Sequence, residues 1–311
     1  MLGRRSLRIK VMQTLYGWEL DHDIPLSKLR ALLQTQTDKA IWLFLTDLCY
    51  LVEICLYSKE DKAKRMAKFI KTDDDLRATS TIASNVIIRY LQNHTVFNDL
   101  VKKHGIFYNV SREVIKTIYN DLYATGFYKT YAALAEPTLE QDRQVIISLL
   151  REVINEHPAL EQQLEEIFPN LDDDQPLLLH IISKYVEEFD PEKNNFFSGL
   201  ELWEEEKKFA FELLDKTVEH HEEFIRLIQP NLQNWDMERV AVLDLILLKM
   251  AICELLYFPT VPVKVTINEY IDISKFYSTP RSKDFVNGLL DKIKNQLTEQ
   301  GAIKKYGRGL L

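Results

Sequence analysis

The run from Asn234 to Ile293, NWDMERVAVLDLILLKMAICELLYFPTVPVKVTINEYIDISKFYSTPRSKDFVNGLLDKI, decides the fold. Between Val240 and Leu256 the only charged side chains are Asp244, Lys249 and Glu254. At about 100° per residue they stand at roughly 0°, 140° and 280° around a helix, which leaves no wide polar face. A helix apolar between such dispersed charges belongs at the centre of a bundle. Pro259 and Pro262 forbid its continuation. Pro262 suits the first turn of a following helix, whose Val263, Ile267 and Ile271 recur every fourth residue. Thr279 and Pro280 end that helix, and Ser282 serves as N-cap for a last one carrying Phe285, Val286, Leu289, Ile293 and Leu297. Three helices with short, proline-marked joints predict an all-α bundle.

The whole chain fits that class. Its 311 residues are 46% hydrophobic and 28% charged, enough for two globular domains, and nine Gly and ten Pro are few for so long a chain. No run of about 18 uninterrupted apolar residues occurs, and the basic N-terminus has no apolar stretch behind it, so neither a membrane span nor a secretory signal is expected and the protein should stay in the cytoplasm. Cys49, Cys55 and Cys253 are odd in number and lack CxxC spacing, which predicts buried thiols. The net charge of −8 is unevenly spread. Residues 159–206 hold fourteen Asp or Glu against Lys184 and Lys193, so the rest of the chain is slightly basic. Both ends are basic: Arg4, Arg5, Arg8 and Lys10 at one, Lys304, Lys305 and Arg308 at the other.

Residues 4–21 place Leu7, Val11, Leu15 and Trp18 at helical spacing, with Met12 on the same flank, and so read as an amphipathic helix. The arginine cluster that opens it, followed by Gln13, Leu15, Tyr16, Trp18 and Glu19, resembles the first helix of the NusB transcription antitermination family. The C-terminal run resembles the same family's core through WxxxR (Trp235, Arg239), LLKMAICEL, the Ile267-Asn268-Glu269 run and Phe285-Val286-Asn287-Gly288. The resemblance implies a NusB-like double helical bundle built from residues 1–24 and 197–311. Between them, residues 25–196 depart from the family pattern as a helical insert. Helical patterns are expected there at 38–58, 60–71, 79–103, 111–134, 138–155, 159–168 and 175–189, with a break at the DDDQP run from Asp172 to Pro176. Residues 38–58 are strongly apolar but too short and interrupted to cross a bilayer. Residues 190–201 read as a hinge, and Leu202 to Ile228 as one long helix.

Catalytic signals are missing. His220-His221-Glu222-Glu223 is the one tight His and carboxylate cluster, yet neighbours on a helix point about 100° apart and HExxH spacing is absent, so no metal site is expected. No G-x-G-x-x-G, P-loop or G-x-S-x-G occurs, which argues against an enzyme, RNA-methylating or other, and no cofactor is implied. Cations at a helix start oppose the helix dipole, which slightly favours phosphate binding by Arg4, Arg5, Arg8 and Lys10 over a solvated, frayed helix start. Ser6 stands where relatives often carry another basic residue, which thins the patch. Arg281 and Lys283 flank the start of the last helix, where backbone N–H groups attract phosphate. Phe285 fits the core first and a stacking platform for a base second. Gly288 inside a helix suggests close helix packing. The resemblance further implies binding of boxA-type leader RNA of ribosomal RNA operons, together with the ribosomal protein NusE and the RNA polymerase elongation complex. It places partner contacts on Tyr16 and Asp244. A protein interaction scaffold that uses the acidic insert and binds no RNA is the alternative, and self-association into a homodimer stays open.

Overall fold

The computed structural model describes residues 3–193, 203–232 and 240–310. Trp235, Arg239 and the greater part of the 190–201 hinge lie outside them. The described residues form fifteen α-helices and no strand, the all-α class expected. The chain divides into two compact units. A terminal unit gathers residues 2–37 and 203–311, and an inserted unit holds residues 38–202.

The terminal unit contains α1 (Arg4–Leu20), the first turns of α2 (Leu26–Met66), α11 (Trp203–Glu219), α12 (His221–Ile228), α13 (Val242–Tyr257), α14 (Val263–Tyr277) and α15 (Ser282–Glu299). Its centre is α13, against which α1, α11, α12, α14 and α15 all pack. Every residue from Ile246 to Leu255 is buried, which is what dispersed charges on an apolar helix predict. The charges themselves go inside too. Lys249 and Glu254 are held by ion pairs to α1, and Asp244 accepts a hydrogen bond from Ser282 of α15. On α14 the buried face runs through Thr266, Tyr270, Ile273 and Ser274, whereas the expected stripe of Val263, Ile267 and Ile271 is only half-buried. The physical reason is Glu254, whose buried carboxylate accepts from Thr266 Oγ1 at 2.8 Å and Tyr270 OH at 3.2 Å. The helix expected over 202–228 breaks at His220, whose ring stacks on Tyr257 at 4.4 Å.

The terminal unit also claims more of α2 than the expected boundary at residue 24. Leu29 and Leu33 are buried, and Thr14 Oγ1 lies 3.2 Å from Gln36 Oε1, so the first three turns of α2 belong with α1.

In the inserted unit the remainder of α2 is joined by α3 (Asp73–Arg77), α4 (Val86–Asn93), α5 (Thr95–Lys103), α6 (Arg112–Ala124), α7 (Gly126–Ala132), α8 (Leu139–Ser148), α9 (Pro158–Glu165) and α10 (Leu171–Glu187). Residues 60–66 continue α2, a 41-residue helix, and not a separate one as expected. By length and composition it meets the requirement for a membrane span, but its most apolar window is 78% buried within the protein, as in a core helix. Other expected helices are cut by capping residues. Asn85 accepts from the Ile87 and Ile88 amides, and Thr125 accepts from the Tyr128 amide. The Asp172–Asp174 run is not a break. It forms the first turn of α10, where acids favour the helix dipole. The core includes Leu48, Tyr50, Ile54, Ile87, Leu91, Ile118, Tyr119, Ile146, Leu149 and Ile182, and all three cysteines of the chain are buried.

Candidate nucleic-acid interface

Helix α1 begins without a side-chain cap and without an acid in its first turn. In place of local acids, the arm's arginines find carboxylates from distant parts of the chain. Arg4 Nε lies 2.9 Å from Glu206 Oε2, with its guanidinium 5.0 Å from the Phe209 ring. Arg5 donates from Nε and Nη2 to the two oxygens of Glu269, both at 2.9 Å, and from Nη2 to Asp272 at 3.0 Å. The bonds from Glu269 raise Arg5 above the ordinary arginine range, against a smaller opposing effect of burial. Both side chains remain nearly half exposed, 44% for Arg4 and 49% for Arg5.

Arg8 and Lys10 differ from that pair and correct the expectation of four surface cations. Arg8 is 2% exposed. Its Nε and Nη2 donate to both oxygens of Glu254 at 2.8 and 2.7 Å. Its guanidinium also lies 5.2 Å from the Phe209 ring and 5.8 Å from the Tyr270 ring. Burial alone would lower its pKa, but the hydrogen bonds and charge of Glu254 reverse that and hold it firmly protonated. Lys10 is equally buried. Arg8 turns inward because its guanidinium meets Glu254 of α13 and Tyr270 of α14. The basic tail is likewise partly structural. Lys305 Nζ donates to the backbone oxygens of Glu254 and Phe258 at 3.0 and 2.9 Å, closing the C-terminal end of α13, and burial lowers its pKa to about 8.

At the other patch, Arg281, Phe285 and Lys292 line one groove with Asn231, Leu232, Asp284, Gly288 and Leu289. Arg281 occupies the N-cap position of α15, and Lys283 is exposed beside the groove. Phe285 is half-buried at the groove wall. Gly288 is exposed, and a Cβ there would touch nothing within 4 Å, so close packing is not its reason. Ser282 does not cap the helix from outside. It is buried in the first turn, 2.8 Å from Thr279 Oγ1, and its hydroxyl donates to Asp244 Oδ2 at 2.7 Å. Asp244 is only 4% exposed and ties α13 to α15, so it is not the accessible acid that a partner contact requires. Tyr16 is accessible, at 41%, and one helical turn on, Leu20 is 65% exposed. Leu20 escaped the sequence reading because a leucine at a helix end is ordinarily covered.

The histidines are engaged structurally. His220 Nδ1 lies 3.0 Å from both Glu223 Oε2 and the Tyr257 hydroxyl, and the His221 ring packs against Trp18 and His22. Among the described residues, Glu161, Glu165 and Asp172 of the inserted unit bring carboxylate oxygens within 4.8 Å of one another. All three are exposed, as solvated acids commonly are.

Comparison with known proteins identifies relatives of the chain. The family model described as the NusB family matches residues 175–295. The transcription antitermination protein NusB of Salinibacter ruber is 37% identical over 155 residues, which span 49% of this chain and 89% of that protein. The NusB protein of Chloroherpeton thalassium is 40% identical over 105 residues, 34% of this chain and 50% of its own length. That of Thermodesulfovibrio yellowstonii is 41% identical over 87 residues, 28% of this chain and 58% of its own. No solved structure matches. A relative of this identity, covered over 89% of its length, shows that this chain belongs to the NusB family.

Proposed function

We propose that the chain is an RNA-binding transcription antitermination factor that recognises boxA-type leader RNA of ribosomal RNA operons together with the ribosomal protein NusE, in the RNA polymerase elongation complex. Family membership supports the general role. The observation that carries RNA binding is the pair of half-exposed guanidiniums of Arg4 and Arg5 at the start of α1, each with donors suited to phosphate. Arg8 acts from beneath, fixing α1 on the core, and Lys10 is buried, so the phosphate contacts fall to Arg4 and Arg5. The groove with Arg281, Phe285 and Lys292, beside Lys283, offers cations and a ring face for an unstacked base. Tyr16 and Leu20 present the apolar surface for the ribosomal partner in place of Asp244.

The test is a titration of the full chain with a boxA-type RNA oligonucleotide and a scrambled one of equal length, with and without the ribosomal protein. Preferential binding of the boxA-type RNA, strengthened by the partner and falling steeply with salt, is expected. Absent or salt-insensitive RNA binding with retained protein capture would favour the scaffold reading instead.

A further inference from the structure

We propose that Glu206, Glu269 and Asp272 are an internal substitute for the nucleic-acid backbone, holding the donor edges of Arg4 and Arg5 in the free protein until phosphate displaces them. The inference rests on the reading of this arm as a phosphate-binding surface. Its ground is the identity of the donors involved. Arg5 gives Nε and Nη2 to the two oxygens of Glu269 as a parallel fork, and Arg4 gives Nε to Glu206. That fork is the edge a phosphate takes when it binds an arginine bidentately. One edge cannot serve both anions at once, so RNA binding at this arm is an exchange of partners.

Exposure makes the exchange feasible. The side chains of Glu206 and Asp272 are each 33% exposed and that of Glu269 is 20%, so water reaches every pair. Pairs of this kind bias an equilibrium without locking it. The neighbouring Arg8–Glu254 pair, sealed from solvent, has no such freedom. The abandoned carboxylates also keep company. Glu269 Oε2 lies 3.7 Å from Arg8 Nη1, and Asp272 Oδ1 lies 2.5 Å from Lys275 Nζ. Departure of Arg5 therefore leaves neither acid without a cation.

Two consequences distinguish exchange from simple addition. A single small anion must displace a carboxylate alone, whereas a polyanion replaces several at once, so the device favours RNA over free phosphate. Freed carboxylates also attract cations from solution, which partly cancels the counterion release that RNA binding causes and flattens the salt dependence.

The experiment is a cycle of full-chain variants titrated with a boxA-type RNA oligonucleotide. E269Q/D272N is measured in the wild-type background and in R4A/R5A, and D291N/E299Q serves as a control of equal charge change, since these acids of α15 pair with neither arginine. Exchange predicts that E269Q/D272N tightens RNA binding by about two- to fivefold at low salt, the range of exposed ion pairs, with a steeper salt slope. It also predicts that the control changes little and that the gain disappears in R4A/R5A. No gain, or a gain reproduced in R4A/R5A or by the control, overturns the proposal while the arm remains the RNA site. Undiminished RNA affinity in R4A/R5A overturns the reading of the arm itself. If E269Q/D272N melts early, D272N alone, which alters only the contacts of Arg5 and Lys275, gives the same test with a smaller expected gain.

Discussion

Two buried charged sites, one in each unit, are held in opposite ways. In the terminal unit the buried cations Arg8 and Lys249 each meet an acid. Arg8 is bidentate to Glu254, which also accepts from Thr266 and Tyr270, and Lys249 Nζ sits 2.6 and 2.8 Å from the two oxygens of Glu19. In the inserted unit Asp47 of α2 is fully buried with one amide, Gln175 Nε2, 3.3 Å from Oδ1, and nothing within hydrogen-bonding reach of Oδ2. Desolvation pushes its pKa up to about 8, only partly opposed by the Gln175 bond. The difference is one of mechanism. A paired charge fixes which helices meet, whereas a lone buried carboxyl adapts by taking up a proton.

The largest effect should come from breaking the paired network. Arg8→Ala leaves the Glu254 carboxylate buried without its cation and should destabilise the terminal unit by about 3–5 kcal/mol in chemical denaturation. An apolar replacement of both partners, R8M/E254L, should recover much of that loss. A loss under about 1 kcal/mol in Arg8→Ala would show that the pair does not hold α1 on α13.

The next effect sharpens the contrast from the other side. Because the folded pKa of Asp47 lies above its unfolded value, the folded state binds the extra proton between about pH 4 and pH 8. Its contribution therefore falls as pH rises through that window, and the cost is fully present above it. Asp47→Asn should stabilise the protein by several kcal/mol at pH 8 and change little near pH 4. Equal effects at both values would remove Asp47 as the titrating group.

A smaller effect is expected at the partner surface. Tyr16→Ala should weaken binding of the ribosomal protein by about 1–2 kcal/mol in a titration while hardly altering the melting temperature, since the ring is substantially exposed. Asp244→Lys, by contrast, should unfold α13 from α15 before it tests any interface, because it removes the acceptor of Ser282 inside the core.

These contrasts also mark how much could be read in advance. The central place of α13 was legible because three charges on three faces leave an otherwise apolar surface. That Arg8 turns inward while Arg4 and Arg5 stay outside was not, because the partners that decide it, Glu254 and Glu269, lie some 250 residues away in sequence. A hint was present: an arginine cluster with no nearby acid, and Glu254 alone in a nearly apolar helix, were two unmatched charges awaiting each other. The half-buried stripe of α14 failed for the same reason, since tertiary contacts outrank periodicity when a buried carboxylate demands donors. In the inserted unit the helix-rich character was plain, but helix ends depended on the caps at Asn85 and Thr125, which long apolar patterns conceal.

The central claim is that exposed Arg4 and Arg5 meet RNA phosphates while buried Arg8 holds the arm in place. Its most direct test is the affinity of full-length wild-type and R4A/R5A protein for a boxA-type RNA oligonucleotide across a salt series. The account predicts weaker binding by R4A/R5A at every salt concentration, a slope of log affinity against log salt shallower by up to about 1.4 for two lost single-strand contacts, and an unchanged melting temperature. The same affinity and the same slope in both proteins would contradict it.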